Sequence, residues 1–365
     1  MKPTAAPSAD AALALIKPEV RAQVAYTLEA PPAPRKLNQN ESPFDAPEAV
    51  KKAVIRAAWG EPWNRYPPFT PRELVERLAA RHGWLASGVL VGNGSNELIQ
   101  ATLAVTVGTG TPVVTPAPTF SLYRLLAAVY GGRHVPVPLS PDFQFDVDAL
   151  VRAARDTRAP LVVVNSPNNP TGTPFPDGAV ARLLAETGAL IVMDEAYQDF
   201  GGPTAVPLLN DHPRLVVLRT FSKAMSLAGL RFGYALAHPA VAAEIGKARL
   251  PYNVNRVTLA AAHAALDAAD LLAERTRAVR RSRELLERRL SGIPGLRAFP
   301  SAANFVLIRC VARPAAEVFH RLVEEYGILV RDVSAGPGLD GCLRITAGTD
   351  EDVEAVAEAL SALLA

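Results

Sequence analysis

The sequence predicts an α/β fold, with a large domain built on a mostly parallel, seven-stranded sheet covered by helices and a smaller α+β domain after it. Three observations predict this class. Short β-branched runs alternate with helical patterns between residues 88 and 238. These runs are apolar almost throughout, which is typical of strands covered on both faces. After residue 251 the order of elements changes, which indicates a second domain.

The elements of the large domain follow in order from its β-branched runs. Seven strands are predicted, at residues 89–91, 112–115, 133–139, 161–164, 190–193, 215–218 and 233–237. Helices are predicted between several of them, at residues 120–130, 147–156 and 179–186. Ligands of such sheets collect at the carboxyl ends of the strands. The loops that directly follow strands are therefore the candidate functional loops.

The smaller domain begins with a long helical pattern. Residues 258–290 contain no proline or glycine and predict one helix, broken once at most. A strand at 304–309, a helix at 315–326, strands at 328–332 and 343–346 and a helix at 351–364 follow. A short helix is also expected near residues 11–16. We expect an N-terminal segment at 1–44 that joins the small domain, a large domain at 45–256 and a small domain at 257–365.

Composition excludes several classes of function. The 38 basic and 36 acidic residues give a net charge of +2, which argues against a nucleic-acid-binding protein. Cys310 and Cys342 form no C-x-x-C motif and the six histidines show no ligand spacing, so no disulfide framework or metal site is predicted. No apolar run approaches the roughly 18 residues of a membrane helix. Two free thiols suit a reducing compartment, and a cytoplasmic protein is expected.

Lysine is scarce in this chain. Only seven of the 38 basic residues are lysine, and none occurs between Lys52 and Lys223. In a chain that uses arginine wherever either cation would serve, a lysine in an unusual setting is expected to perform chemistry that arginine cannot perform.

Two of the loops that follow strands are rich in glycine, asparagine and proline. Residues 92–97 (GNGSNE) form a glycine turn before a helix, with Ser95 or Asn96 near its N-cap. Gly94 would let the free backbone N–H groups approach an anion, although a well-capped helix start explains the turn as well. In residues 165–172 (NSPNNPTG), Asn169 could donate to a ligand oxygen or only cap the turn.

Two further loops carry charge. Asp194 follows an apolar strand, where a carboxylate needs a cationic partner or hydrogen bonds; it either caps a helix or holds a protonated heterocyclic nitrogen. Lys223 lies just after the strand at 215–218, where a lysine is costly unless it is paired or deprotonated. Lysine forms Schiff bases and arginine does not. Arg231, eight residues later, could reach the same phosphate as the first loop.

Together these loops supply a phosphate-binding turn, an amide, a buried carboxylate, a tyrosine (Tyr197) and a lysine. That inventory is what pyridoxal 5'-phosphate requires, because its aldehyde needs an amine, its ring nitrogen a carboxylate and its phosphate a set of donors. A dinucleotide site is disfavoured because the third glycine of its fingerprint is missing, and a Walker A motif is absent.

The chain resembles the fold type I pyridoxal-phosphate-dependent aminotransferases over residues 37–348. The motifs NNPTG (168–172), DEAY (194–197) and SKAMSLAGLR (222–231) carry the resemblance. Within that family it is most similar to the histidinol-phosphate aminotransferases, on the stretches 36–43, 64–67, 118–123, 251–255, 303–309, 330–332 and 342–346. Asn96 departs from the pattern, since many relatives have an acidic residue there. Gln39, Phe44 and Asp45 are also variants.

The resemblance implies a role for each matching residue in the cofactor site. Lys223 would form the Schiff base and move the proton, and Asp194 would pair with the pyridinium nitrogen. The other implied cofactor residues are Gly94, Ser95, Asn96, Ser222 and Arg231 around the phosphate, Asn169 and Tyr197 at the ring hydroxyl, Tyr123 stacked on the ring, and Tyr66 reaching the phosphate from the other subunit of a homodimer.

The resemblance also implies the substrates. Arg344 would bind the glutamate carboxylate and, together with Arg331, the phosphate of the other substrate; Asn40, Tyr252 and Tyr26 would line the substrate site. The implied reaction is a ping-pong transfer of the amino group of glutamate, by way of the cofactor, to imidazole-acetol phosphate, giving histidinol phosphate, reversibly.

Three alternatives remain open at this point. An aromatic amino acid aminotransferase of the same branch would prefer phenylpyruvate as acceptor. A threonine-phosphate decarboxylase, a lyase that resembles this branch, would release carbon dioxide without a keto-acid acceptor. A cofactor-binding transcriptional regulator would need an attached DNA-binding domain, for which the short N-terminal segment is expected to leave no room.

Overall fold

The structure is a computed structural model that describes residues 9–24 and 31–364. The α-helices in that part of the chain are α1 (Asp10–Leu13), α2 (Pro18–Arg21), α3 (Glu48–Gly60), α4 (Arg72–His82), α5 (Ser95–Thr106), α6 (Leu122–Val129), α7 (Val147–Asp156), α8 (Ala179–Glu186), α9 (Pro239–Gly246), α10 (Arg256–Asp267), α11 (Ala269–Ser291), α12 (Ala315–Tyr326) and α13 (Asp350–Leu364). The strands are β1 (Arg35–Lys36), β2 (Val89–Asn93), β3 (Pro112–Ala117), β4 (Arg133–Pro138), β5 (Leu161–Asn165), β6 (Leu190–Asp194), β7 (Leu215–Thr220), β8 (Phe232–Ala237), β9 (Leu296–Phe299), β10 (Phe305–Cys310), β11 (Ile328–Leu329), β12 (Arg331–Asp332) and β13 (Cys342–Thr346).

A seven-stranded sheet with the order β2-β8-β7-β6-β5-β3-β4 forms the centre of the larger body. β8 runs antiparallel to β2 and β7, whereas the other neighbouring strands pair in parallel. β5, β7 and β8 are buried along their whole length. The predicted α/β class with a mostly parallel seven-stranded sheet is confirmed, because helices on both faces require strands that are apolar throughout.

A four-stranded antiparallel sheet, β12-β13-β10-β9, forms the centre of the smaller body. Its core joins Leu286 and Leu290 of α11 to Val306, Ile308 and side chains of α12 and α13. β1 pairs in parallel with β11, which ties the segment before the large sheet to this body. The predicted strand 328–332 is two short strands interrupted at residue 330, and β9 lacks a sequence signal because it is only four residues long and contains an arginine.

The helical pattern of residues 258–290 is broken once, at Ala268, between α10 and α11. α10 packs its alanine-rich face on the core of the large sheet together with Leu272, whereas Leu286 and Leu290 belong to the core of the small sheet. We therefore propose a domain boundary within α11, rather than at 256–257. In residues 9–24 and 31–364, no helix is both long and apolar enough to span a membrane.

The parallel register brings the functional loops to one edge of the large sheet. Asn165, the last residue of β5, lies opposite Asp194, the last residue of β6. β7 ends beside them and leads directly to Lys223. The start of α5 approaches the same edge because β8 carries a glycine there: a Cβ atom on Gly233 would lie 2.3 Å from the backbone nitrogen of Ser95.

Candidate active site

A cavity of about 750 Å³ lies at this edge and is also lined by the small sheet. Eleven residues that the sequence singles out lie on its wall: Asn40, Ser95, Asn96, Asn169, Asp194, Tyr197, Ser222, Lys223, Arg231, Arg331 and Arg344. They come from seven separate stretches of the chain, so the fold brings together what the motifs only suggest.

Lys223 lines this cavity, and its side chain is half-buried. Its Nζ atom donates to the backbone carbonyl of Gln39 at 2.8 Å and lies 5.8 Å from the centre of the Tyr197 ring. Burial lowers the pKa of Lys223 from 10.5 to about 7, and the Arg344 guanidinium acts in the same direction. A lysine with this pKa holds a large neutral, nucleophilic fraction near neutral pH.

Asp194 ends β6 and is buried. The hydroxyl of Tyr123 donates to its Oδ2 at 2.6 Å, and the backbone N–H of Ala196 donates to its Oδ1 at 3.2 Å. Burial raises the pKa of Asp194, while these two hydrogen bonds act against the rise because they favour the ionised form. A buried carboxylate on a cavity wall is suited to hold a cationic N–H group.

The turn between β2 and α5 forms an anion-binding corner. Gly94 precedes α5 with a φ of 78°, which glycine adopts at little cost. A Cβ atom there would lie 2.5 Å from an Arg231 guanidinium nitrogen, so the glycine makes room for this side chain. Arg231 Nη1 also donates to the Ser222 hydroxyl at 3.1 Å. The N-terminus of α5, the Ser95 and Ser222 hydroxyls and Arg231 thus converge as donors.

Arg344 and Arg331 form a second cationic wall. They lie directly opposite each other in the β12–β13 register, so both side chains leave the same face of the small sheet. Arg344 Nη1 donates to the Asn169 side-chain oxygen at 2.5 Å, and its Nη2 donates to the Asn38 carbonyl at 2.7 Å. Two guanidinium groups that face each other repel unless an anion lies between them, so this wall favours a carboxylate or phosphate.

Asn40 connects the two walls. Its backbone has a φ of 53°, and its Nδ2 atom donates to the Tyr197 hydroxyl at 2.9 Å. Its backbone N–H donates to Thr346 Oγ1 at 2.9 Å, and its carbonyl accepts from Asn304 Nδ2 at 3.0 Å. Asn40 is therefore a buried bridge between Tyr197 and the small sheet as much as a lining residue.

Three tyrosines of the predicted site, Tyr66, Tyr123 and Tyr252, do not line the cavity. Tyr123 is fully buried, and its hydroxyl donates to Asp194. Because Tyr123 does not line the cavity, its ring is not positioned to stack on a ligand there. Tyr66 stacks on Tyr252, with ring centroids 4.5 Å apart, on the exposed surface outside the cavity. Tyr26 lies outside the described residues.

The cavity has lining residues that the sequence analysis does not identify. Phe120 lies on the wall where Tyr123 is predicted, and Asn38, Gln39 and Asn165 line it as well. Phe120 belongs to the stretch PTFSLY and Asn165 to NSPNNPTG, so motifs marked both regions without telling which side chain faces inward. Asn38 and Gln39 act through backbone carbonyls, for which side-chain chemistry gives no signal.

The family described as Aminotransferase class I and II matches residues 35–360 of this chain. The chain belongs to the class I and II aminotransferases. A histidinol-phosphate aminotransferase from Chlorobium luteolum is 39% identical over 96% of this chain and 98% of the relative, and one from Thermoanaerobacter pseudethanolicus is 35% identical over 96% and 99%. The resemblance inferred from the motifs is confirmed.

Solved structures agree with this assignment of the aminotransferase. The crystal structure of histidinol-phosphate aminotransferase from Sinorhizobium meliloti, in complex with pyridoxal-5'-phosphate, superposes with a TM-score of 0.85 at 30% identity. The match covers 96% of this chain and 97% of that chain. The likeness extends over both bodies of the fold, because the matched length includes both sheets.

Proposed function

We propose that this aminotransferase interconverts L-histidinol phosphate plus 2-oxoglutarate and imidazole-acetol phosphate plus L-glutamate, a reaction of histidine biosynthesis. The observation that carries the proposal is a single cavity that holds a half-buried lysine, a buried carboxylate, a helix N-terminus and two arginines directly opposite each other in the small sheet. The names of the relatives at 35% and 39% identity over nearly the whole chain support the choice of substrates.

The residues of the cavity fit pyridoxal 5'-phosphate as cofactor. The Arg231 guanidinium, which has room because Gly94 carries no Cβ atom, and the convergent donors of Ser95 and Ser222 match a phosphate. Asp194 matches a protonated ring nitrogen, and Asn169 and Tyr197 match a ring hydroxyl. Phe120, rather than Tyr123, is the aromatic residue that we propose against the ring, because Phe120 lines the cavity. Asn96 completes the set at the first turn of α5.

Pyridoxal phosphate supplies an aldehyde that takes up amino groups and a pyridinium ring that withdraws electrons from the carbon bearing them. The chain's own groups do the rest. Asp194 holds the positive charge at the ring nitrogen, and the donors around Gly94 hold the phosphate in place. Among the residues that the structure describes, Lys223 is the only lysine on the cavity wall. Its amine would anchor the cofactor and, once free, would move a proton as base and acid, which a pKa of about 7 favours.

The arginine wall explains how one site takes two substrates in turn. Arg344, held by Asn169 and Asn38, presents its guanidinium to a carboxylate. Arg331, directly opposite, adds the second charge that a phosphate dianion needs. Glutamate and histidinol phosphate can therefore use the same wall, with Arg331 engaged more strongly by the phosphorylated substrate.

We propose that the protein works as a homodimer in the cytoplasm. Tyr66, Phe69 and Tyr252 pack together as an exposed aromatic surface outside the cavity, and Trp59 and Trp63, a few positions earlier in the chain, are exposed as well. Water-exposed clusters of this kind mark contacts with other protein chains. In a dimer that covers this surface, Tyr66 would reach the phosphate of the neighbouring site, and Tyr252 would line the substrate entrance. Both cysteines are buried and free, which suits a reducing compartment.

A half-reaction screen tests the substrate assignment. The cofactor-loaded protein is mixed separately with histidinol phosphate, phenylalanine and threonine phosphate, and the change in visible absorbance is followed. We expect histidinol phosphate to react with the highest kcat/KM. A faster reaction with phenylalanine would overturn the assignment in favour of an aromatic aminotransferase, and carbon dioxide release from threonine phosphate would overturn it in favour of a lyase.

Arg331→Ala tests the arginine wall. The loss of one charged hydrogen bond costs about 1.5–3 kcal/mol, so kcat/KM for histidinol phosphate should fall about tenfold to hundredfold, and that for glutamate should fall less. Arg297→Ala, on β9 of the same sheet and outside the cavity, is the matched control and should leave both values unchanged. Equal losses for the two substrates in Arg331→Ala would contradict the assignment.

A further inference from the structure

Tyr123 makes an unusual contact for a residue that does not touch the cavity. It lies on α6, its side chain is fully buried, and its hydroxyl donates to Asp194 Oδ2 at 2.6 Å. A hydroxyl–carboxylate distance of this length is typical of a charge-assisted hydrogen bond. The Phe120 ring packs edge-on against the Tyr123 ring, with centroids 5.6 Å apart and planes at 88°. Tyr123 therefore lies directly behind two groups of the cavity wall.

The contact has a clear electrostatic effect on Asp194. Burial penalises the ionised carboxylate and raises its pKa, and Tyr123 is the larger of the two hydrogen-bonding influences that oppose this rise. A neutral carboxylic acid cannot balance the charge of a protonated ring nitrogen, so the ionised form is the useful one. The hydrogen bond also restricts rotation of the carboxylate, because Oδ2 is held by Tyr123 and Oδ1 by the Ala196 N–H.

The choice of tyrosine, rather than phenylalanine, supports a role for the hydroxyl. A fully buried tyrosine hydroxyl is costly unless it finds a partner, and a phenylalanine would fill the same apolar space without that cost. The pKa of Tyr123 is raised well above its ordinary value by burial and by the neighbouring Asp194 charge, so the phenol keeps its proton and remains a donor.

We propose that Tyr123 is a positioning residue that keeps Asp194 ionised and oriented toward the cofactor's ring nitrogen. The inference rests on the proposed function, since it concerns how the same site holds its cofactor. Tyr123 acts through Asp194 and touches neither substrate nor cofactor. The ability of the Asp194 carboxylate to hold the ring nitrogen then depends on a residue of α6, in a different layer of the fold.

Tyr123→Phe tests the proposal in the loaded enzyme, with cofactor labelled with ¹⁵N in the ring. Without the hydroxyl, Asp194 becomes more basic and draws the shared proton away from the ring nitrogen. The ¹⁵N resonance should therefore move toward its unprotonated position, and kcat should fall about tenfold for both substrates, with a smaller change in KM. A merely structural role would lower cofactor occupancy and leave the resonance of the bound cofactor unchanged, which would overturn the proposal.

A control variant and a second substitution at position 123 complete the test. Tyr130→Phe, at the C-terminal end of the same helix and outside the cavity, is the matched control and should leave the resonance and kcat unchanged. If Tyr123→Phe does not fold, a fluorinated tyrosine at position 123 keeps the ring and makes the hydroxyl a stronger donor. The ¹⁵N resonance should then move the opposite way, toward the protonated position, and no movement would overturn the proposal.

A cofactor-free experiment separates failure of this inference from failure of the proposed function. In the apo-protein at neutral pH, Tyr123→Phe should lower the folding equilibrium constant about tenfold when Asp194 is present and clearly less in the Asp194→Asn background. Equal effects in both backgrounds would overturn the inference. If this coupling is found but the loaded protein transfers no amino group, the proposed function fails while the contact between Tyr123 and Asp194 stands.

Discussion

At the scale of single residues, the setting of Lys223 determines its chemistry. Six of the seven lysines lie in N-terminal segments or beside α9, where a solvated cation is sufficient. Of the lysines in the described part of the chain, Lys223 alone lines the cavity, with its amine on the Gln39 carbonyl and near the Arg344 charge. The sequence identifies the lysine by its isolation among arginines; its low pKa follows from burial, which only the folded chain creates.

The low pKa of Lys223 predicts a pH dependence of stability in the apo-protein. Because the folded pKa is lowered, the folded state loses stability as the pH falls from about 10.5 towards about 7, where the folded amine begins to take up its proton. Replacing Lys223 by Met removes this titration, so wild type should gain stability over Lys223→Met on raising the pH through that window. The gain should be a few kcal/mol at most, since one pKa unit corresponds to about 1.4 kcal/mol.

Chemical denaturation of the two apo-proteins across this pH range measures the effect. Lys247→Met, which removes an exposed lysine of the same chain, should follow wild type at every pH. Parallel stability curves for wild type and Lys223→Met would show that Lys223 titrates as an ordinary solvated amine.

At the scale of elements, the turn between β2 and α5 depends on the absence of a side chain at Gly94. Its GNG pattern predicts a turn that opens a helix, and α5 begins at Ser95 as expected. The pattern does not reveal that the space beside Gly94 is filled by Arg231, 137 positions further along the chain, which is shown by the guanidinium nitrogen 2.5 Å from the site of a Cβ atom. The antiparallel pairing of β8 with β2 brings the two segments together.

Gly94→Ala should therefore separate backbone strain from loss of the anion site. At a φ of 78° and a ψ of 161°, a conformation essentially confined to glycine, the methyl group costs about 1–3 kcal/mol of stability, and it displaces the Arg231 guanidinium as well. Affinity for pyridoxal phosphate, measured by titration of the apo-protein, should fall about tenfold or more. Gly110→Ala also has a positive φ but no atom within 4 Å of the new Cβ, so it should lose stability through backbone strain and keep its affinity. Equal affinities for the two variants would contradict this role of Gly94.

The small sheet shows the same limit of local patterns. β12 has two residues and β13 has five, and neither sequence specifies which residues pair. Their register nevertheless places Arg331 directly opposite Arg344. A shift of one residue would send one of the two side chains to the other face of the sheet and remove the paired arginine wall.

At the scale of the whole molecule, the exposed aromatic surface is the feature that the single chain leaves unexplained. Tyr66 is 76% exposed although it stacks on Tyr252, and its backbone is held by a hydrogen bond from Arg256 to its carbonyl at 2.8 Å. A surface that is aromatic and exposed is suited to a contact with a second copy of the chain. The proposed dimer would place Tyr66 of one subunit at the site of the other.

Subunit complementation tests this arrangement. Lys223→Ala and Tyr66→Ala are each expected to have little activity alone. Co-expressed in equal amounts, they form mixed dimers in which one of the two sites has both a native Lys223 and a native Tyr66 from its neighbour, so about a quarter of wild-type activity should return. If Tyr66 serves the site of its own chain, no mixed dimer contains an intact site and the activity stays at the level of the separate variants.

The sequence by itself determined the fold class, the seven strands of the large sheet and the chemical groups of the site, because these depend on local periodicity and on the chemistry of residues in short motifs. The motifs NNPTG, DEAY and SKAMSLAGLR were informative without knowledge of their contacts in the folded chain. Only the tertiary structure decided that Phe120 faces the cavity while Tyr123 supports Asp194 from behind, and that the Gln39 carbonyl meets Lys223. Such contacts join residues far apart in the chain, and they depend on strand register and on the rotation of each helix about its axis, which no short stretch of sequence specifies.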